Sequence, residues 1–467
     1  MGKENDKIEM VSLFDFTGVS LSGVGRSKKP NSVLSFRLEK KVDPLSWLLG
    51  DDYRKGEFEL FEDVGQIYEL QLAKMEYESF KSNMEAFRKR TAYFKVVNGE
   101  KSYHYFISKV KGKGQIGHTN QYLTHWFYPY KGKFHGQMIK SIINFIGAEG
   151  DDIILDPFAG SGTTLIEASV VGTRSVGVEI NPALCIVSQI KLDALKTDYP
   201  EFTKSIVVKD LPRIFKYFSD AEAYLNERRW EIKINNQNAR DILIELWENH
   251  FPNSFVKEYP LEWRNLLLLI YLHALSDYTY LKGTSKSRPL EEFFYINFNE
   301  YSKTLKGVYE TFRELKMTPK EYVVILGNAL RLPLSDNSVK GVVTSPPYSI
   351  ALDYISNDIH LLNYLGIDTK KLREEMVGLR GKKTEKLKLY EQDLRKSIEE
   401  MYRVLIKGGW AVIVLGDVVV NGKRTDFCKK IIEWAPQIGF VDYYAMKRPI
   451  LGGFAKLRYE YVIFLQK

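Results

Sequence analysis

Two short segments carry residue types that chemistry needs. Thr344-Ser345-Pro346-Pro347-Tyr348 follows the apolar run VKGVV, and Asp156-Pro157-Phe158-Ala159-Gly160-Ser161-Gly162-Thr163-Thr164 follows the run DDIILD at 151–156. Consecutive prolines fix φ and remove two backbone donors, so the carbonyl oxygens there are left to accept from a ligand. Gly160 and Gly162 let the backbone approach a ligand with no Cβ in the way. Such a turn can cradle a phosphate or an adenosyl compound. Glu179 closes the next strand-like run, where an acid can accept both hydroxyls of a ribose. Taken singly, the PPY is a rigid loop and Glu179 a surface carboxylate. No Lys follows the second glycine, so a P-loop is not matched. The seven histidines form no H-x-E or H-E-x-x-H set, and Cys185 and Cys428 have no metal-ligand spacing.

These residues need strand ends to hold them. Residues 151–156 form a buried-strand pattern, TTLIEASVV at 163–171 has helical spacing closed by Gly172, and SVGVEI at 175–180 is the next strand. That is one βαβ unit. Further strands are expected at EYVVIL (321–326), VKGVVTS (339–345), WAVIVLGD (410–417) and YEYVIFLQK (459–467). Residues 369–403 are expected to be a polar, lysine-rich helical region. The pattern predicts a catalytic α/β domain over 116–190 and 321–467, interrupted by a mostly helical insertion at 191–320. Residues 1–115 form an accessory region, with KSYHYFISKV strand-like, one helix around YESFKSNMEAFRKR, and a glycine- and lysine-rich boundary at 111–120.

The 467 residues suit two or three structural units. A hydrophobic share of 44% with 27% charged residues excludes a mainly disordered or fibrous chain. The net charge of +8 favours a polyanionic partner. The amino terminus lacks an apolar signal region, and the longest apolar run, Leu266–Leu272, is far short of the ~20 residues that span a bilayer. A soluble cytoplasmic protein with reduced thiols is expected, with no membrane partner.

The pair of motifs resembles the amino-methylating DNA methyltransferases, the N4-cytosine and N6-adenine family, whose catalytic motif is (S/D/N)-P-P-(Y/F). Tyr128-Pro129-Tyr130-Lys131-Gly132-Lys133-Phe134 resembles the family's segment before the cofactor turn, and Gly327-Asn328-Ala329-Leu330-Arg331-Leu332-Pro333-Leu334 resembles its adenine-facing stretch. Tyr402-Arg403-Val404-Leu405-Ile406-Lys407-Gly408-Gly409 resembles a helix-to-strand turn of such folds. The resemblance covers most of 120–190 and 321–467 and is weak or absent in 1–115 and 191–320. It implies a Rossmann-like class I methyltransferase sheet that uses S-adenosyl-L-methionine and no metal. By that resemblance Asp156, Phe158, Ala159, Gly160, Ser161, Gly162 and Thr163 hold the methionine moiety. Glu179 binds the ribose, and Asn328 with Ala329 meets the adenine; the family usually has Asp at position 328. Ser345, Pro346, Pro347 and Tyr348 form the catalytic loop, Tyr348 stacking on a base flipped from the duplex.

The chemistry explains that loop. An exocyclic amine is a poor nucleophile because its lone pair is conjugated into the ring. Accepting its protons through the Ser345 hydroxyl and the Pro346 carbonyl draws the nitrogen toward tetrahedral geometry. Neither cysteine sits in the Pro-Cys context that C5-cytosine methylation needs. Ser345 at the first position leans toward cytosine N4, with adenine N6 the alternative. Partners implied are double-stranded DNA and a cognate restriction endonuclease. The insertion is the candidate target-recognition region, and Lys282-Gly283-Thr284-Ser285-Lys286-Ser287-Arg288 and 380–386 are candidate phosphate contacts. Two competing readings are a tRNA guanine-N2 methyltransferase, and an inert adenosyl- or DNA-binding protein.

Overall fold

A computed structural model describes residues 43–467 apart from 51–52, 113–120, 131, 134, 207, 228, 349–352, 382–384, 417, 421–422 and 450–458. Residues 1–42 of the accessory region, most of the boundary stretch 111–120, Lys131 and Phe134, and the middle of 380–386 lie outside the described residues.

A small antiparallel sheet comes first, with β1 (Glu59–Leu60), β2 (Phe94–Val97) and β3 (Glu100–Lys101). The central sheet has eight strands. They are β4 (Ile153–Asp156), β5 (Arg174–Glu179), β6 (Gln237–Asn238), β7 (Tyr322–Leu326), β8 (Val339–Thr344) and β9 (Leu405–Gly416). A ribbon of β10 (Val418–Val420) and β11 (Lys423–Thr425) precedes its last two strands, β12 (Asp442–Pro449) and β13 (Tyr459–Gln466).

The order across the sheet is β12-β13-β9-β8-β4-β5-β7-β6. The five inner strands β7, β5, β4, β8 and β9 run parallel, β13 and β6 are antiparallel to their neighbours, and β12 pairs antiparallel to β13. This is the Rossmann-like, mostly parallel sheet that the βαβ pattern predicts. The chain builds outward from β4 through β5 to β7, then returns beside β4 to lay down β8 and β9. Strand order therefore reverses between β4 and β8, and ligands in open α/β sheets bind outside the carboxyl ends at such a point. Both motifs leave the sheet there.

Local sequence sets the crossover helices. Asn181 caps helix Pro182–Asp193 by accepting from Ala183 N (3.0 Å), with Pro182 in its first turn. Helix Thr163–Val170 starts at Gly162, whose φ of 82° only glycine adopts readily.

The insertion is helical as expected, with long helices Leu211–Glu227, Leu261–Leu281 and Leu290–Glu314. Its core is continuous with that of the sheet, since Leu266–Leu272 are all buried in one cluster with Ile166, Ile186 and Leu326. That accounts for the apolar run 266–272 as packing. Helix Leu261–Leu281 meets helices Pro182–Asp193 and Ile359–Tyr364, and β6 adds an edge to the sheet itself.

The described part of the N-terminal region packs over the same face of the sheet, toward its β9 and β13 end. Helix Ile67–Phe80 lies on helix Gly136–Ile146, and their apolar residues share a cluster with Val412, Val414, Met446 and Phe464. The fully buried Glu76 ties this region together, accepting from Thr91 Oγ1 (2.6 Å), Ala92 N (3.0 Å) and Asn144 Nδ2 (3.1 Å). Two local expectations fail here. KSYHYFISKV is mainly a helix, Tyr103–Ile107, because Ser102 accepts from Tyr105 N and caps it. The helix around YESFKSNMEAFRKR is two helices, Ile67–Phe80 and Met84–Arg90, divided where Asn83 caps the second. Among the described residues no helix is long and apolar enough to cross a membrane.

Gly177 in β5 lies beneath the glycine turn. A Cβ there would stand 2.9 Å from Ala159 Cβ and from the Leu165 methyls. Gly177→Ala is expected to destabilise the fold by about 1–3 kcal/mol through overpacking. Urea unfolding should show a lower midpoint with an unchanged slope.

Candidate active site

A cleft of about 1190 Å³, including its open mouth, lies at the carboxyl ends of β4, β5, β7 and β8. It is lined on one side by Asp156, Phe158, Ala159, Gly160, Ser161, Thr163 and Glu179, with Asn328 and Ala329 beside them. Ser345, Pro347 and Tyr348 line the other side. The topology thus brings the two motifs, far apart in sequence, into one cavity. Gly162 and Pro346 do not line it. Gly162 instead shapes the turn as the cap of helix Thr163–Val170, its N–H donating to Ala159 O at 2.8 Å, and Pro346 is buried behind the loop.

Asp156 is the joint between the halves. It is 2% exposed. Its Oδ1 accepts from Thr344 Oγ1 (2.6 Å) and Phe158 N (3.1 Å), and its Oδ2 from Thr164 Oγ1 (2.7 Å). Burial raises its pKa to about 6, against the pull of those donors. With its oxygens committed to protein donors, Asp156 acts by positioning the turn.

Glu179 accepts from Gly160 N (2.7 Å) and Asn181 N (2.8 Å), locking the glycine turn to the end of β5. Burial lifts its pKa to about 7. Gly160 holds φ 52°, and a Cβ there would meet the Tyr130 ring at 3.3 Å, so the turn needs glycine for backbone shape and for close approach. Ser161 O accepts from the buried Lys191 Nζ at 2.7 Å, while Ser161 Oγ is buried without a partner among the described residues. Lys133, on the Tyr128–Phe134 segment, donates to His125 O and Tyr128 O (2.7 Å each), and burial lowers its pKa to about 7. Asn328 Oδ1 accepts from Leu330 N (2.9 Å), which leaves that oxygen a second lone pair and the amide its two donors.

The SPPY loop is held at several points. The Pro347 carbonyl accepts from Tyr390 Oη (2.8 Å). The Tyr348 N–H donates to Tyr354 Oη (3.2 Å), and the Tyr348 hydroxyl donates to Glu460 Oε1 (2.6 Å). Burial, then the Glu460 charge, pushes the Tyr348 pKa well above its ordinary value.

Sequence reasoning missed Tyr354, Met376, Val414, Arg448 and Glu460, which also line the cleft. Arg448 and Glu460 flank the β12–β13 connection and match no motif, and β12 itself went unread. The loop 282–288 is exposed, and it follows Tyr280, whose hydroxyl donates to Asn357 O. Cys185 is buried and Cys428 partly so, neither lining the cleft. Among the described residues no group of three or more His, Cys, Asp or Glu could hold a metal.

Two outcomes follow from this geometry. Thr344→Val removes one donor from a buried carboxylate, so stability should fall by about 1–3 kcal/mol in urea unfolding. Glu179 binds its proton more tightly folded than unfolded, so in wild type it makes folding less favourable as pH rises from about 4.5 to about 7. The stability of Glu179→Gln relative to wild type should therefore rise across that window in thermal melts, and a flat difference would contradict the assignment.

Residues 26–189 match the N6/N4-type family described as DNA methylase, a span that begins within the accessory region where the motifs gave little resemblance. The chain is similar to the Type II methyltransferase M.BsoBI of Geobacillus stearothermophilus, 28% identical over 55% of this chain and 55% of that one, so it spans about half of that relative's length. It is similar to the Type II methyltransferase M.MjaII of Methanocaldococcus jannaschii, 22% identical over 70% of this chain and 77% of that one. A shorter stretch is 40% identical to a tRNA (guanine(10)-N2)-dimethyltransferase of Methanothermobacter thermautotrophicus, over 14% of this chain and 19% of that one. With the glycine turn and the SPPY loop meeting at the reversal of strand order, the chain is similar to the amino-methylating DNA methyltransferases over the spans that these relatives match.

Proposed function

We propose that the protein transfers a methyl group from S-adenosyl-L-methionine to the exocyclic N4 amine of cytosine in duplex DNA, within a restriction–modification system. The observation that carries this reading is the single cleft in which the glycine turn after β4 faces Ser345, Pro347 and Tyr348 after β8. The residues present suit the cofactor. Ser161 Oγ is buried without a partner among the described residues, and Gly160 leaves room beside Tyr130. Gly160, Ser161 and Thr163 would hold the methionine moiety, Glu179 the ribose hydroxyls, and Asn328 with Ala329 the adenine. Bound there, the cofactor would supply an electrophilic sulfonium methyl.

The chain's own residues do the rest by positioning. The Ser345 hydroxyl, which lines the cleft, accepts a hydrogen bond from the amine and helps free the nitrogen lone pair for in-line attack, and Pro346, buried outside the cleft, stiffens the loop that presents it. The Pro347 carbonyl is occupied by Tyr390, so it fixes the loop. Tyr348 offers its ring to a base flipped from the duplex. Because the amine protons need only be accepted, no covalent protein–base intermediate is required. Duplex DNA suits the net charge of +8, with the exposed loop 282–288 as a phosphate contact and the insertion as the region that selects the sequence. A cognate restriction endonuclease would share that sequence. Ser345 favours cytosine N4 over adenine N6. The stretch similar to a tRNA guanine-N2 enzyme favours tRNA as the second reading.

Incubation with tritiated S-adenosylmethionine and either duplex DNA or tRNA, then digestion, identifies the labelled nucleoside. Label in N4-methylcytosine is expected. Label in N6-methyladenine would move the target, and label only in tRNA guanine would overturn the reading. Tyr348→Ala and Pro346→Ala should abolish transfer, and Ser345→Ala should lower kcat by about 10²-fold or more. Full activity in Ser345→Ala would remove the hydroxyl from the mechanism.

A further inference from the structure

The far end of the Tyr348 ring is anchored outside its own loop. Its hydroxyl donates to Glu460 Oε1 at 2.6 Å, and Glu460 Oε2 accepts from Arg448 Nη1. Arg448 and Glu460 stand directly opposite each other in the β12–β13 register, so the sheet itself fixes their separation. The Arg448 guanidinium in turn lies over the ring of Tyr68, 5.5 Å from its centroid, and Tyr68 is buried on helix Ile67–Phe80. Four side chains thus link the N-terminal helix to the tyrosine of the catalytic loop.

Stability alone does not account for this arrangement. The Arg448 and Glu460 side chains are only 16% and 13% exposed, and an ion pair so enclosed loses much of its hydration for a doubtful net gain. Nearby positions on the same two strands, Met446 and Val462, are filled by apolar packing. Enclosed ion pairs are better attested as devices that specify one arrangement than as sources of stability. The arrangement specified here is that of one ring. The Tyr348 backbone is tied to Tyr354 at one end, and the hydroxyl is tied to Glu460 at the other.

We propose that Glu460 and Arg448, backed by Tyr68, are positioning residues that hold the Tyr348 ring as a fixed stacking surface for the extruded target base. This rests on the base-methylating function proposed above. A ring already fixed when the base arrives gives up less freedom on stacking.

The test uses the full chain with Tyr348→Phe, Glu460→Ala, their combination, and Glu460→Gln, which retains an acceptor. With saturating cofactor, Tyr348→Phe and Glu460→Ala should each lower kcat about tenfold while cofactor affinity stays within twofold. The double variant should also fall about tenfold, because both changes break the same link. Glu460→Gln should recover most of the loss. Losses that multiply to about a hundredfold in the double variant would overturn the proposal. A 3-fluorotyrosine at position 348 supplies a readout that needs no substrate. Its fluorine resonance should move toward the solvent value in Glu460→Ala and return in Glu460→Gln, and an unmoved resonance in Glu460→Ala would overturn the proposal. If wild type transfers no methyl to DNA, the proposed function fails, and the fluorine spectrum still decides whether the ring is held.

Discussion

The carboxylate of Asp156, at the seam between β4 and β8, is where the two halves of the sheet are joined. Putting a carboxylate out of reach of water is costly unless donors surround it. Here Thr344, Thr164 and the Phe158 N–H supply them, and each comes from a different part of the site. Thr344 ends the strand that leads to the SPPY loop, Thr164 opens the crossover helix, and Phe158 begins the glycine turn. One group therefore sets three segments relative to one another. A shift of any of them would leave part of a buried charge without its donor, so the geometry is fixed by the cost of the alternatives.

The same device recurs along the chain. Glu179 fastens the turn to β5 through Gly160 N and Asn181 N. Glu76 gathers Thr91, Ala92 and Asn144, and Glu167 takes Tyr122 Oη and His125 Nε2. In each case a buried acid holds a segment distant in sequence. Apolar contacts fill the volume around these points, but a directional acceptor decides which backbone lies where.

What could be read from sequence was what obeys local rules. The β4–turn–helix–β5 unit was legible because apolar runs, glycines and a closing acid lie within thirty or so residues of one another. The SPPY loop was legible because paired prolines after an apolar run have few meanings. Boundaries were poorer where side-chain caps decide them, as at Ser102 and Asn83. Glu460 and Arg448 were invisible for a different reason. They reach Tyr348 only through the antiparallel pairing of β12 and β13, and β12 mixes polar and apolar residues without clear alternation. The sharing of one core between insertion and sheet was likewise a tertiary fact, since the run 266–272 reads the same in a separate helical module. Asn328 illustrates a smaller gap, because its acceptor also serves Leu330 N.

The bond from Thr344 to Asp156 closes a loop of 188 residues. Loop closure costs entropy that grows only slowly with length, but contacts so distant in sequence slow the search for the native state. The β4–β5 unit can assemble from neighbouring residues early, with its acid already in place. Strand β8 arrives only after the whole insertion has been laid down, and it completes a carboxylate that until then lacks one of its donors. Assembly of the SPPY half is in this way made to wait on the glycine-turn half, and a chain that has not folded through its insertion has not formed the cleft.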